Sequence, residues 1–138
     1  MLKLFLTKTI YFVLAVTTLS AVLISCNKDD SGDESYTYQG DLTPLVGFTG
    51  TGQIRANLSN HELDLNINFS GISIVRAYLV ENKNGAIRIQ NVADNPVSPF
   101  NTKITISDST ITALNLGNIG VELLTTTGAI ALRGYLTK

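Results

Sequence analysis

The sequence predicts an all-β protein, an antiparallel β-sandwich of about eight strands preceded by an N-terminal signal helix. Apolar and polar residues alternate with a period of two over much of the chain after residue 50, which is the pattern of half-buried strands. Turn residues interrupt this alternation at short intervals. Beyond the signal, no amphipathic helix of normal length and no internal repeat is indicated.

The first 25 residues have the pattern of a signal peptide. Lys3 and Lys8 supply a positive region, and residues 9–24 are largely apolar before the small Ser25. A membrane-spanning helix would need about 20 apolar residues and usually a basic flank. It is therefore the weaker interpretation, and we expect residues 1–25 to be a signal peptide.

Cys26 follows this segment and is the only cysteine, so the sequence excludes an intramolecular disulfide and a paired-cysteine metal site. The stretch Leu23-Ile24-Ser25-Cys26 resembles the lipobox of bacterial lipoproteins, whose cysteine receives a diacylglycerol and becomes the first residue of the mature chain. Two or three acyl chains give stable anchoring, whereas one is marginal. The resemblance implies a membrane anchor on Cys26. An ordinary signal peptide and an uncleaved anchor are the alternatives.

Residues 26–35 are charged and contain glycine and serine, so they predict a flexible acidic tether. Within it, Lys28, Asp29 and Asp30 resemble the export signal of Bacteroidota surface lipoproteins. The resemblance implies an anchor in the outer membrane with the domain at the cell surface. The periplasmic face of that membrane is the alternative.

Residues 36–138 have the length of a single domain. From Leu42 onward, seven basic and six acidic residues leave this part nearly neutral. The basic residues are scattered and are not interleaved with aromatic ones, which argues against a nucleic-acid partner. Tryptophan is absent and asparagine and threonine are abundant, a composition typical of extracellular β-domains.

Tyr36 and Tyr38 alternate along the chain. They predict either a first edge strand that packs on the sandwich or a pair of aromatic platforms that bind a sugar. Glycines in residues 47–52 indicate a bend leading into a strand. A phosphate cradle is disfavoured there because no helix pattern follows. Residues 53–58 and 62–69 then predict a hairpin, with Ser59-Asn60-His61 as its turn.

The middle of the chain predicts three more strands separated by turns. Their ranges are 72–80, 86–92 and 102–107, with a turn at 82–85 and a proline-containing loop at 94–99. Asp108 and Ser109 are predicted to cap a single apolar helical turn that ends before Gly117. The last two strands are predicted at 121–125 and 129–136.

Several of these segments, in this order and spacing, resemble the CHRD domain, named for chordin, over about residues 49–138. The segments are Thr51-Gly52-Gln53, Ala56-Asn57-Leu58-Ser59, Ser70-Gly71-Ile72-Ser73, Asp108-Ser109-Thr110 and Leu132-Arg133-Gly134-Tyr135-Leu136. The resemblance implies an immunoglobulin-like β-sandwich, similar to that of copper-zinc superoxide dismutases. Typical members carry a His-x-His pair and a later His-Thr, where this chain has Tyr78, Val80 and Leu124. We therefore expect no metal and no other cofactor.

Few residues suggest chemistry. His61, the only histidine, is predicted to be a solvated turn residue, because a metal ligand or catalytic base needs convergent partners. The acids of the tether lack the spacing of a calcium loop. A glycan hydrolase needs paired carboxylates, and Glu62, Asp64 and Glu122 cannot be placed together from sequence. Ser109 lies in a sequence that resembles the O-glycosylation motif of Bacteroidota, although helix capping explains the same residues.

The sequence thus predicts a lipid-anchored binding or structural module without catalytic activity. Its partner would be an extracellular or envelope protein or a glycan, which the sequence does not identify. The alternative function is a metal-binding or redox protein of dismutase-like architecture.

Overall fold

The computed structural model describes residues 34–138. They form eight antiparallel strands and one short helix, which confirms the predicted all-β fold class. The predicted signal peptide, the predicted lipidation site Cys26 and the predicted export signal Lys28, Asp29 and Asp30 lie outside the described residues. Within 34–138, no helix is both long and apolar enough to cross a membrane.

The strands are β1 (Tyr36–Pro44), β2 (Thr51–Ser59), β3 (Glu62–Ser70), β4 (Arg76–Asn82), β5 (Ala86–Asp94), β6 (Phe100–Thr105), β7 (Ile119–Leu124) and β8 (Ile130–Tyr135). The helix, α1 (Asp108–Asn115), lies between β6 and β7.

The strands form one continuous sheet in the order β5-β4-β7-β8-β1-β2-β3-β6. We describe the sheet as two halves, β5-β4-β7-β8 and β1-β2-β3-β6. β1 pairs with β2 along most of its length and with β8 near its end, so it joins the two halves. The prediction of an edge strand at Tyr36 and Tyr38 is therefore wrong. The sequence shows only that Tyr38 is a candidate for burial, whereas the number of neighbours of a strand depends on distant segments.

The core lies between the inward faces of the two halves, and β3 shows how the sequence builds it. Leu63, Leu65 and Ile67 are fully buried, while the intervening polar residues are exposed. Each such aliphatic side chain contributes about 1.5–3 kcal/mol when it leaves water. Alternation in the sequence therefore becomes a two-sided strand with one buried face.

The hairpin of β2 and β3 forms as predicted, with Ser59 opposite Glu62 and only two residues between them. Asn60 and His61 both have positive φ, at 47° and 67°. Positive φ at both central positions is the geometry of the tight hairpin turn whose twist matches the flanking strands. Asparagine accepts this conformation readily.

Several predicted elements differ in extent, and β4 and the helix are two examples. The strand predicted from residue 72 begins at Arg76, because the preceding segment bends and buries Ile74 in the core. The helix has eight residues instead of one turn, and its N-cap is Ser107 instead of Asp108 or Ser109. The Ser107 Oγ accepts a hydrogen bond from the Thr110 backbone N–H at 3.3 Å, which satisfies a helix donor that has no intrahelical partner.

Candidate functional site

The pairing of β1 with β8 is interrupted in its middle. Gln39 pairs with Thr137, and Thr43 pairs with Arg133, in the same register. Within residues 34–138, no ladder pair joins the intervening Gly40, Asp41 or Leu42 to β8. The two strands therefore lie side by side without pairing over a short stretch, where one face of the sheet is open to solvent.

Two glycines allow the backbones to stay close across this gap. A Cβ on Gly40 would lie 2.2 Å from the Tyr135 carbonyl oxygen, and a Cβ on Gly134 would lie 2.3 Å from the Asp41 carbonyl oxygen. Both distances are far below van der Waals contact, so only glycine fits at either position. Glycine within a strand commonly marks such a close approach.

Two grooves meet on the outer face at this place. One has a volume of about 370 Å³ and runs between β1 and β8, and the other has a volume of about 450 Å³ and runs across β2 and β3. Asp41 and Gln53 line both grooves. We call the surface formed by Gln39, Asp41, Gln53 and Arg55 the β1 crease.

The register of β1 and β2 fixes the geometry of the β1 crease. Gln39 lies opposite Arg55, and Asp41 lies opposite Gln53. Side chains of directly opposite residues start about 5 Å apart, and residues two apart on one strand start about 7 Å apart. The four outward-pointing side chains thus occupy the corners of a small rectangle.

The β1 crease is polar, exposed and electrically balanced. Its two charges, the Asp41 carboxylate and the Arg55 guanidinium, lie at diagonal corners. Within the described chain, the four side chains make no hydrogen bond or ion pair with each other or with another side chain. Their donors and acceptors are consequently available to solvent or to a ligand.

A second polar cluster lies on the outer face of the other half of the sheet. Glu122 is buried at 1% exposure and pairs with Arg88 and Arg133. The Arg88 guanidinium also lies 4.9 Å from the centre of the Tyr78 ring, within the range of a cation–π contact. Both oxygens of the Glu122 carboxylate are occupied by these arginines, which makes the cluster a structural element.

His61 is exposed, as expected for a turn residue, but it has a partner that the sequence did not indicate. Its Nε2 lies 2.7 Å from Asp108 Oδ1, and the aspartate side chain is 94% exposed. The pair links the β2–β3 turn to the start of α1. Among residues 34–138, no three histidine, cysteine, aspartate or glutamate side chains come together in a way that could hold a metal ion.

The three positions at which the CHRD resemblance expects histidines lie on β4 and β7. Tyr78 is half-buried beneath Arg88, while Val80 and Leu124 are buried. The latter two positions thus hold buried apolar side chains. The carboxylates of Glu62 and Glu122 lie on strands of different halves, so the structure does not bring them together.

The remaining candidates are placed as follows. Ser109 is exposed in the first turn of α1, where its Oγ lies 2.8 Å from Ser107 Oγ, and its O-glycosylation stays a prediction. Tyr38 is fully buried, which confirms the packing interpretation for that residue. Tyr36 is 40% exposed, its hydroxyl donates to Glu34, and the Lys138 Nζ lies 4.2 Å from its ring centre.

Sequence reasoning did not identify the β1 crease. Alternation predicted the strand that holds Gln53 and Arg55, but no strand was predicted at Gln39 and Asp41. The crease also depends on the approach of β8 from 90 residues away. Gly40 and Gly134, two glycines inside strand patterns, were the available signal.

Comparisons of the chain with protein-family models, with characterised proteins and with solved structures find no match. The resemblance to the CHRD domain accordingly stays a prediction.

Proposed function

We propose that the protein is a lipid-anchored lipoprotein of the cell envelope, whose β-sandwich acts at the outer surface of the outer membrane as a binding or structural module without catalysis. One observation carries this proposal. A signal-like segment ends in Leu23-Ile24-Ser25-Cys26 and is followed at once by Lys28, Asp29 and Asp30. An acylated cysteine places the domain at a membrane, and the charged tether after it separates the domain from the lipid surface.

The architecture of the described residues supports a binding or structural role. The eight strands form one continuous hydrogen-bonded sheet, and the polar side chains of the β1 crease, which have no partner among the described residues, lie on its exposed face. By contrast, the charged groups of the Glu122 cluster are paired with one another. Rigid strands that present polar side chains suit recognition, because little conformational entropy is lost when a partner binds.

Protease accessibility on intact cells tests the proposal. An antibody against residues 34–138 follows the domain after protease is added to intact cells, and lysed cells show that the domain can be digested. Loss of the signal in intact cells supports exposure at the surface. Protection in intact cells combined with digestion after lysis would overturn it.

A variant in which Lys28, Asp29 and Asp30 are all replaced by alanine provides the matched comparison. It keeps Cys26 and hence the anchor, but it removes the proposed export signal. We expect this variant to stay in the membrane fraction while becoming resistant to protease in intact cells. Unchanged accessibility would show that these three residues do not direct export.

A further inference from the structure

We propose that the β1 crease is a binding site for a neutral saccharide. This inference rests on the proposed role as a binding module and gives that role a ligand class. The site comprises Gln39 and Asp41 on β1 together with Gln53 and Arg55 on β2. The adjoining groove extends it toward Asn68 and Ser70 on β3.

The interrupted ladder distinguishes this surface from the rest of the outer face. β1 and β8 keep one register on both sides of the gap, so the chain forgoes ladder pairs at Asp41 without any shift between the strands. Elsewhere on this half of the sheet, some exposed polar side chains bond to each other. Examples are Thr37 with Asn57 at 3.0 Å and Asn66 with Asn101. At the β1 crease, no such bond occurs among the described residues.

The chemistry of the four side chains matches a ligand rich in hydroxyl groups. A carboxylate accepts hydrogen bonds only, a guanidinium donates only, and the two amides do both. A hydroxyl group donates and accepts, so neighbouring hydroxyls on one sugar ring can satisfy all of these groups together. Hydrogen bonds to the charged Asp41 and Arg55 are the stronger ones.

Charge and polarity disfavour other classes of ligand. The single positive charge of Arg55 is balanced by Asp41, so a polyanion such as a nucleic acid or an acidic polysaccharide gains no net attraction. Apolar small molecules bind in concave pockets lined mainly by apolar side chains. Here the polar side chains at the four corners point outward from the frame.

The dimensions set the size of the ligand. A rectangle of about 5 by 7 Å accommodates one sugar ring across the β1–β2 pair. The second groove shares Asp41 and Gln53 and continues across β3, which leaves room for a further ring. The ligand is therefore an oligosaccharide of at least two rings and not a free monosaccharide.

The test uses the full chain, purified in detergent micelles, on an array of neutral and acidic oligosaccharides. Titration calorimetry with the best neutral oligosaccharide then compares the wild type with Asp41→Asn and Arg55→Gln. Asp64→Asn is the matched control, because it makes the same chemical change on an exposed strand position outside the grooves. Thermal unfolding verifies that each variant is folded.

We expect binding to at least one neutral oligosaccharide, with affinity lowered about tenfold by Asp41→Asn and by Arg55→Gln. Asp64→Asn should leave the affinity within about twofold. Absence of binding to every neutral oligosaccharide, preference for acidic ones, or equal effects of Asp41→Asn and Asp64→Asn would overturn the assignment. Protease accessibility on cells does not depend on a saccharide, so failure here leaves the proposed anchoring and exposure intact.

Discussion

Glu122 on β7 lies directly opposite Arg133 on β8, and the Arg133 Nε donates to Glu122 Oε1 at 2.8 Å. On the other side, the Arg88 Nε donates to Glu122 Oε2 at 3.3 Å. One buried carboxylate on β7 thereby links the neighbouring strand β8, through Arg133, with β5 on the far side of β4, through Arg88. The acidic residue is compensated by two cations, and Arg88 is compensated further by the Tyr78 ring.

Replacing Glu122 with glutamine should lower the free energy of unfolding by about 2 kcal/mol, because the charged acceptor of both arginines is lost. The arginines are partly exposed, so the loss is smaller than for a fully buried triad. Urea unfolding at neutral pH measures this loss of stability. Glu62→Gln is the matched control, because Glu62 pairs with Lys103 in an exposed position. This substitution should lower the free energy of unfolding by less than about 1 kcal/mol. Equal losses would contradict the structural role of Glu122.

The buried Tyr38 makes stability depend on alkaline pH. Burial raises the pKa of this phenol above its usual 10.0, so the folded chain keeps a proton that the unfolded chain releases above about pH 10. The contribution is complete below pH 10 and is lost as the pH rises through the folded-state pKa. Urea unfolding between pH 8 and pH 11 should therefore show a smaller decline for Tyr38→Phe than for the wild type.

At pH 8, the same substitution should cost about 1 kcal/mol, because the Tyr38 hydroxyl donates to Asn115 Oδ1 at 2.8 Å. Tyr36→Phe serves as the comparison. Tyr36 also has a raised pKa, through its hydrogen bond to the Glu34 carboxylate, but it is exposed. A decline of identical steepness in the wild type and in Tyr38→Phe would refute the assignment to Tyr38.

The close contact of β1 and β8 predicts a large effect of Gly134→Ala. The added methyl group would lie 2.3 Å from the Asp41 carbonyl oxygen, so the backbones must separate, at a cost of about 3 kcal/mol. Gly128→Ala is the control. It meets no atom within 4 Å and costs only the strain of its positive φ, about 1 kcal/mol. Thermal unfolding should rank wild type, Gly128→Ala and Gly134→Ala in decreasing order of stability.

Replacing Cys26 with alanine should release the protein from membranes, because the thioether to diacylglycerol requires the cysteine sulfur. Fractionation of cells into membrane and soluble material measures the effect. Ser31→Ala, within the predicted tether, should leave the membrane fraction unchanged. Membrane association that persists in Cys26→Ala would show that another segment anchors the chain.

The sequence predicted the strands well where one face of a strand is buried and the other is wet. In β2 and β3, the polarity of each residue indicates whether it is buried or exposed, so the strands can be predicted without knowledge of their distant neighbours. β5 resists such reading, because Ile87 and Ile89 are 54% and 42% exposed although they are apolar. From the sequence alone, an exposed isoleucine on an edge strand cannot be distinguished from a buried isoleucine in the core.

The site was harder to predict than the strands, for a physical reason. Gln39 and Asp41 follow the strand predicted at Tyr36 and Tyr38, and the structure places them at exposed positions of β1. Their place in the candidate site follows from the missing pairs with β8 and from the close approach of Gly40 and Gly134 to the facing backbone, both of which depend on long-range packing. Likewise, the partner of His61 is Asp108, far along the chain, and not the neighbouring Glu62 or Asp64.

The central position of β1 has a consequence for the order of folding. Thr43 on β1 meets Arg133 on β8, and their contact spans 90 residues of chain. Such distant pairing slows folding, because a large loop must close before the contact forms. A chain synthesised from its N-terminus therefore carries β1 with one open edge until β8 has emerged. β8 thus completes the pairing of β1, and this pairing joins the two halves of the sheet.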